Sequence, residues 1–426
     1  MFFIESVQID GFWTKYSAHV NLLNDVSILI GKNGTGKTNF LNILLGALQV
    51  DIKALTELEF KQITIKLRDN KRTRTIRVER FASEHTPYDI AEYKVGTKKF
   101  SLYLYGPEFE RMIGRRHMGP NRYEELMRLR SEVEELINIS SLSVHRTSLA
   151  LQEDDISKLQ KNFKHPVDQR LDDLMQKFTT YQLTLSKQAV EISSTFQRDV
   201  LASILFDPKF DKIVLTKGKK INLDLGDAEE KLVQAYRELG TLNDNISSKI
   251  KGHIKAIKSS LEAVNQSTES ETPLKVNDVT PFPLIGRTRH IIGLSIEADR
   301  KKREIFDSIE SFITIAGNYM EGKRLRIATN GQLEIYNEEK TIASQKLSSG
   351  EKQILILLIE TLLQQKQPYV FIADEPELSL HIDWQAMVIN SVRQLNPNSQ
   401  IIVATHSPEI VSEWGDNIIN MSDCIA

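Results

Sequence analysis

The chain has 426 residues, enough for one large core or two smaller ones, and its 40% apolar and 26% charged content is ordinary for a soluble protein, so disorder is not the default. The lone Cys424 excludes an intrachain disulfide framework and a multi-cysteine zinc site; with no secretory signal and no apolar run near the roughly 20 residues of a bilayer span, a cytoplasmic protein without a membrane partner is expected. A formal net charge of -2 hides one local asymmetry, because from Lys61 to Arg80 eight basic residues face only Asp69 and Glu79.

Phe2 to Phe12 alternates apolar and polar residues and reads as a strand, and Val26 to Ile30 as a second one that runs into a glycine-rich turn. A helix is expected from about Thr38 to Gln49. Gln62 to Leu67, Thr75 to Phe81 and Lys99 to Tyr105 read as strands of an antiparallel sheet beside the main α/β core. The basic stretch lies in these strands and is either a solvated face or a surface for phosphates.

From Pro120 to about Val264 the pattern turns helical. Leu171, Leu174, Phe178, Tyr181, Leu185 and Ile192 keep the spacing of a coiled-coil seam, and Leu232, Tyr236, Leu239, Ile246, Ile250, Ile254, Ile257, Leu261 and Val264 form a second set. Joined through residues 206 to 226, the two sets predict an antiparallel helical hairpin; equally, each is the buried face of a globular helical domain. Asn265 to Asn277 reads as a loop and Ile296 to Met320 as a charged helix. Arg324 to Ala328, the turn Asn330-Gly331 and Gln332 to Tyr336 predict a β-hairpin. A helix from Gly350 to Gln364, a strand Tyr369 to Ala373, a helix Ile382 to Leu395 and a strand Gln400 to Ala404 then alternate as in a parallel sheet.

Gly31-Lys32-Asn33-Gly34-Thr35-Gly36-Lys37-Thr38 matches the phosphate-loop pattern and stands between a strand and a helix, as that loop requires. Backbone N–H groups of such a turn close around phosphates, with the positive end of the helix behind them. Lys37 is placed to neutralise the β- and γ-phosphates of ATP and Thr38 to hold Mg2+; Asn39 completes the candidate ATP-binding set. The apolar strand ending in Asp374-Glu375 puts two carboxylates at the carboxyl edge of the sheet, Asp374 for the Mg2+ shell and Glu375 to polarise the attacking water. Leu347 to Gln353 opens a helix in which Ser348 and Glu351 have capping-box spacing, a good helix start and also an anion site. His406, taken alone, reads as structural.

Together these pieces resemble the ABC-type ATPase heads of the SMC, RecF and OLD-like group over roughly residues 1 to 115 and 320 to 415. The resemblance identifies Gly31–Thr38 as Walker A, Leu347–Gln353 as the signature, Asp374-Glu375 as the end of Walker B, Glu377 to His381 as the D-loop and His406 as the switch histidine sensing the γ-phosphate. It implies that Ser348, Ser349, Gly350 and Glu351 meet ATP held by an opposite subunit, hence a dimer or larger homo-oligomer sandwiching ATP. Ser349 departs from the usual first signature glycine, as in the OLD and phage-defence branches. Gln152, following Leu142 to Thr147, is the candidate for the glutamine loop. Phe12, Trp13 and Lys15 are either an adenine and ribose platform or a core edge.

The expected fold is therefore an α/β ABC ATPase head, with a mixed sheet, flanking helices and an antiparallel β subdomain, interrupted by a helical or coiled-coil arm. Head halves are expected at residues 1–118 and 311–426 and the insertion at 119–310. With about 310 residues between phosphate loop and signature, the insertion is larger than a transporter domain needs. An arm of roughly 45 Å per helix resembles the compact PtuA- and AriA-type ATPases of the Septu and PARIS anti-phage systems, which act with a separate effector nuclease. Only 20 residues follow His406, so an appended TOPRIM nuclease is not expected. His85, His117, His145, His165, His253 and His290 show no HNH ligand spacing. A RecF-like repair ATPase binding DNA through residues 61 to 80 is the alternative.

Overall fold

The computed structural model describes residues 2–69, 71–82, 88–105, 120–143, 165–203, 205, 227–270, 282–338 and 340–426. Gln152, His85, His117, His145 and the 206–226 connection lie outside them. The chain divides into two compact units, Met1–Thr179 with Ser311–Ala426, and Thr180–Glu310.

The first unit holds a six-stranded antiparallel sheet and a five-stranded parallel sheet. The antiparallel sheet runs β2(Tyr16–Asn21)-β1(Phe3–Phe12)-β4(Gln62–Arg68)-β5(Thr73–Ala82)-β6(Asp89–Val95)-β7(Lys98–Tyr103). In β4 the alternation is strict: Ile63, Ile65 and Leu67 are buried while Lys66 and Arg68 face solvent. The parallel sheet runs β14(Ile418–Asn420)-β3(Val26–Ile30)-β13(Ser399–Ala404)-β12(Tyr369–Asp374)-β8(Ile139–Ser143). Its central strands are continuous apolar runs, as strands covered on both faces must be. The expected α/β head is thus present, with its parallel and antiparallel strands sorted into separate sheets.

Helix α1 (Lys37–Leu48) lies between the two sheets. Its Phe40, Leu41 and Leu44 share one core cluster with Ile4, Val7 and Ile63 on one side and Ile372, Ile402 and Ala404 on the other. A buried polar tie fixes the sheets together. Strand β1 pairs with β2 only from Ser6 onward, so Ile4, opposite Leu67 of β4, has no strand partner on its other edge. Gln400 of β13, fully buried, takes up both backbone groups: Ile4 N donates to its Oε1 at 2.8 Å, and its Nε2 donates to Ile4 O at 2.8 Å and Leu23 O at 2.7 Å. Burying an amide is favourable only with its bonds satisfied, and here three are made.

Helices α2 (Ile52–Glu57) and α3 (Pro120–Leu136) precede β8. The β-hairpin forms as expected, β9 (Lys323–Ile327) and β10 (Leu333–Asn337) turning at Gly331 with φ 81°, and β11 (Lys340–Ile342) extends it to three strands.

The helical insertion corrects the expectation of a two-helix hairpin. Helix α4 (Pro166–Ala202) has 37 residues, or about 55 Å at 1.5 Å per residue, longer than the arm expected. The second apolar set is split into α5 (Ala228–Glu238) and α6 (Asp244–Ser270). Gly240 ends α5 in the left-handed region at φ 70°, with its N–H on Arg237 O at 2.9 Å and the Thr241 N–H on Tyr236 O at 3.1 Å, a Schellman closure. Asn243 then starts α6 by accepting from Ile246 N at 2.9 Å. Helix α6 continues to Ser270 through part of the expected loop. The charged helix starts 14 residues earlier than expected, as α7 (Phe282–Gly317).

In the second unit Leu232 of α5, Ile250, Ile254, Ile257 and Leu261 of α6 and Ile285 of α7 pack as one cluster. Phe196 of α4, Ala235 of α5 and Ala298 of α7 make another. The second apolar set is thus the buried face of a helical unit, against which Ile192 of the first set packs, while Leu171, Leu174 and Phe178 belong to the first unit.

Candidate functional site

Strands β3, β13 and β12 are neighbours and parallel, so their carboxyl ends open on one edge. The chain leaves β3 into the phosphate loop, β12 ends on Asp374, and β13 leads into Thr405-His406. Topology alone therefore brings the phosphate loop together with two motifs more than 300 residues further along the sequence.

The loop is built for an anion. Gly31, Gly34 and Gly36 all have positive φ, and Gly36 at the N-cap of α1 offers no side-chain cap, so the first N–H groups of the helix point outward without a protein acceptor of that kind. Gly36 is also sterically required: a Cβ there would lie 2.7 Å from the Phe12 ring and 3.0 Å from that of Trp13. Lys32, Asn33 and Gly34 are exposed, and Thr35 folds back to donate to Lys32 O at 2.8 Å.

Lys37 is buried and donates to Gly31 O at 2.9 Å; its Nζ also lies 2.7 Å from His406 Nε2. As lysine carries only donors, the ring nitrogen accepts, which assigns the His406 proton to Nδ1. Burial lowers the Lys37 pKa, against the opposing pull of Glu375, Asp374 and Glu377. The Thr38 hydroxyl donates to Asp374 Oδ1 at 3.2 Å. Burial pushes the Asp374 carboxyl up, Thr38 opposing and the neighbouring Glu375 and Glu377 adding to it. Glu375 Oε1 lies 3.8 Å from His406 Nε2. Glu375 itself sits at φ 48°, a left-handed conformation costing on the order of 1–3 kcal/mol for a non-glycine residue, and Ser379 in the same turn has φ 70°. Five of the residues singled out from sequence thus gather at one sheet edge: Lys37 contacts His406, His406 lies 3.8 Å from Glu375, and Thr38 contacts Asp374. The residues fit a Mg2+–triphosphate group: a hydroxyl and a carboxylate for the cation, a lysine and the first N–H groups of α1 for phosphate oxygens.

The signature turn stands apart from this cluster. Helix α8 (Ser349–Leu363) has Ser348 as N-cap, and the capping box is complete: Glu351 N donates to Ser348 Oγ at 3.3 Å and Ser348 N to Glu351 Oε2 at 2.8 Å. The Ser348 oxygen acts as acceptor, so its O–H remains available to another group. Burial works to raise the Glu351 carboxyl, but the Lys323 ammonium and the Ser348 N–H overcome it and hold it below the ordinary range. Ser348 and Ser349 are exposed. Gly350 is buried against the D-loop, where a Cβ would meet Ser379 O at 2.6 Å. Among the described residues no hydrogen bond joins Ser348–Glu351 to the phosphate loop.

Several features were not foreseen. Lys352 pairs with Asp168 at 2.6 Å and Glu360 with Arg170, linking α8 to the start of α4. Phe12 is fully buried, the core-edge reading, while Trp13 is 37% exposed beside Gly36, with ring centroids 4.8 Å apart. Lys15 is exposed. Of the other histidines, His253 donates to or accepts from Thr288 Oγ1 at 2.8 Å inside the helical unit, and burial lowers its pKa. Glu377, read only as part of the D-loop, is buried and bonded to the His406 loop. Nothing local in the sequence marks an acid as buried. No helix among the described residues is long and apolar enough to cross a membrane.

A 75-residue stretch is 39% identical to an uncharacterized ABC transporter ATP-binding protein of Haemophilus influenzae, spanning 17% of this chain and 27% of that protein. The Smc head domain with an extended coiled coil bound to the C-terminal domain of ScpA, from Pyrococcus furiosus, aligns over 99% of this chain and 93% of its own at 16% identity with a TM-score of 0.43. The Smc head domain with a coiled coil and joint from Pyrococcus yayanosii aligns over 99% and 95% at 16% identity with a TM-score of 0.41. At these scores neither structure carries a residue role over to this chain. The model of the AAA ATPase domain family, by contrast, matches residues 2–411, nearly the whole sequence. The chain belongs to the AAA ATPase domain family, and its architecture is an α/β unit built from two chain segments with a helical unit between them in sequence.

Proposed function

We propose that the protein binds ATP with Mg2+ and hydrolyses it, working as a switch whose two heads close around shared nucleotide. The observation carrying this reading is the convergence of Lys37, Thr38, Asp374, Glu375 and His406 at one sheet edge. Residues Gly31 to Asn39 wrap the triphosphate, and Thr38 and Asp374 hold the cation, which supplies charge neutralisation at the phosphates. Lys37 exchanges its contact with Gly31 O for phosphate oxygens. Glu375 orients water for attack and His406 turns to the γ-phosphate. Ser348, Ser349, Gly350 and Glu351 complete the site of a second copy, the O–H of Ser348 donating to its γ-phosphate. The unit of Met1–Thr179 and Ser311–Ala426 carries this chemistry, and Thr180–Glu310 carry the response away from it.

Magnesium-dependent phosphate release from ATP by the purified chain is the test. Lys37→Ala removes a charge-assisted contact of about 1.5–3 kcal/mol and weakens nucleotide binding by roughly one to two orders of magnitude. Wild-type affinity in that variant contradicts the assignment. Within the cell, this reading makes the chain the sensor ATPase of an anti-phage system controlling a separate effector nuclease. The isolated chain then leaves DNA and RNA intact in the presence of Mg2+ and ATP; cleavage by the chain alone overturns that role.

A second reading, a RecF-like DNA-binding ATPase, is favoured by one feature of the antiparallel sheet. Arg77 stands opposite Lys94, and Lys94 opposite Lys99, in a row across β5, β6 and β7 on the exposed face, with Arg72 and Arg74 exposed nearby. Glu92 partly offsets the row by pairing with Lys99 at 2.9 Å. Neutralising Arg72, Arg74 and Arg77 removes salt-dependent DNA binding on this reading, lowering the slope of log affinity on log salt by about 0.9 per lost phosphate contact. An unchanged slope excludes this surface.

A further inference from the structure

Glu377 is 9% exposed and follows Glu375 by two residues in the turn after β12. One of its carboxylate oxygens, Oε1, accepts from the Thr405 hydroxyl, from His406 N at 3.0 Å and from Ser407 N at 3.2 Å. The other, Oε2, is buried and has no hydrogen-bond partner. An ionised carboxylate accepts without donating, and bonds to a charged acceptor are about twice as strong as neutral ones. A single acid therefore gathers the whole Thr405-His406-Ser407 loop onto the turn that carries Glu375.

The surrounding contacts tighten this arrangement. Glu375 N donates to Ala404 O at 2.8 Å, a second link between the same two segments. Ser407 caps the helix α10 (Pro408–Val411), accepting from Glu409 N at 3.2 Å, and donates to Gln385 Oε1 at 2.7 Å on α9 (Ile382–Leu395). The backbone of His406 is thereby fixed from Glu377, while its ring reaches Lys37 and Glu375.

We propose that Glu377 is a positioning residue for hydrolysis: it acts through His406, holding that ring between Lys37 and Glu375, and makes no contact of its own with nucleotide. Any shift of the D-loop is then passed to His406 through Glu377. The proposal rests on the reading of this site as a hydrolytic one, but its first test does not.

In the nucleotide-free protein, amide hydrogen exchange at His406 and Ser407 rises by about tenfold or more in Glu377→Ala, as loss of charge-assisted bonds requires, with the melting transition kept cooperative. Glu377→Gln retains the Oε1 acceptor, replaces only the unpartnered oxygen, and restores most of the protection. Unchanged exchange in Glu377→Ala overturns the proposal whether or not the protein hydrolyses ATP. In turnover, Glu377→Ala lowers kcat by about tenfold and leaves KM for ATP within about threefold, and Glu377→Gln recovers kcat. The double variant Glu377→Ala/His406→Ala is no slower than His406→Ala alone. Independent, additive losses, or a rise in KM without a fall in kcat, contradict action through His406. Absence of turnover in the wild type instead removes the hydrolytic reading and leaves the exchange result to decide the structural role.

Discussion

Glu375→Gln lowers ATP turnover by about a hundredfold or more, the usual contribution of a positioned general base, while nucleotide binding stays near wild type. The amide keeps the shape of the carboxylate and the turn that holds it, so the left-handed backbone at Glu375 and the Glu375 N to Ala404 O bond persist. What is lost is the acceptor charge that aligns water against the γ-phosphate. Asp374 and Thr38 remain in place for the cation. Because the closed dimer is opened by hydrolysis in the proposed cycle, this variant accumulates a dimer in Mg2+ and ATP, visible by sedimentation. A Glu375→Gln protein that turns ATP over at the wild-type rate assigns the base elsewhere.

Ser348→Arg abolishes turnover to a similar extent without emptying the nucleotide site. Ser348 lies outside the Lys37 cluster, so the arginine leaves binding to the variant's own phosphate loop within a fewfold of wild type. Its bulk and charge obstruct the exposed turn that has to meet a second subunit's phosphate. Loss of the N-cap costs about 1 kcal/mol of stability, seen as a small drop in melting temperature, and that loss alone does not stop catalysis. Turnover at the wild-type level in Ser348→Arg removes the signature turn from the reaction.

The parts legible in the sequence are those whose geometry is written in consecutive residues. The glycine pattern from Gly31 to Thr38 between a strand and a helix, the Ser348 and Glu351 capping pair, and the Asn330-Gly331 turn each determine their own local hydrogen bonds, and each is found as read. Strand β6 escaped notice although Ala91, Tyr93 and Val95 are buried in alternation with Glu92 and Lys94, and β8 begins before the expected Leu142 to Thr147, because Ile139–Ser143 is largely serine and is made a strand by its pairing with β12 at the edge of the sheet. Likewise Gly286, Gly293 and Pro283 argue locally against a helix before Ile296. Yet proline is tolerated in a first turn, and burial of Ile285 in the helical core outweighs the cost of the glycines. In the site, Lys37, Asp374 and His406 were visible as motif members, whereas Glu377 gains its meaning only from a loop 28 to 30 residues away.

Mixing the two inactive proteins Lys37→Ala and Ser348→Arg measures the shared site most directly. If ATP is gripped by Lys37 of one copy and Ser348 of another, a mixed dimer combines both lesions at one nucleotide and leaves the second nucleotide with an intact lysine and an intact serine. The mixture then regains ATP hydrolysis that neither protein shows alone. A mixture as inactive as its components, under conditions where mixed dimers are shown to form, contradicts a nucleotide shared between subunits.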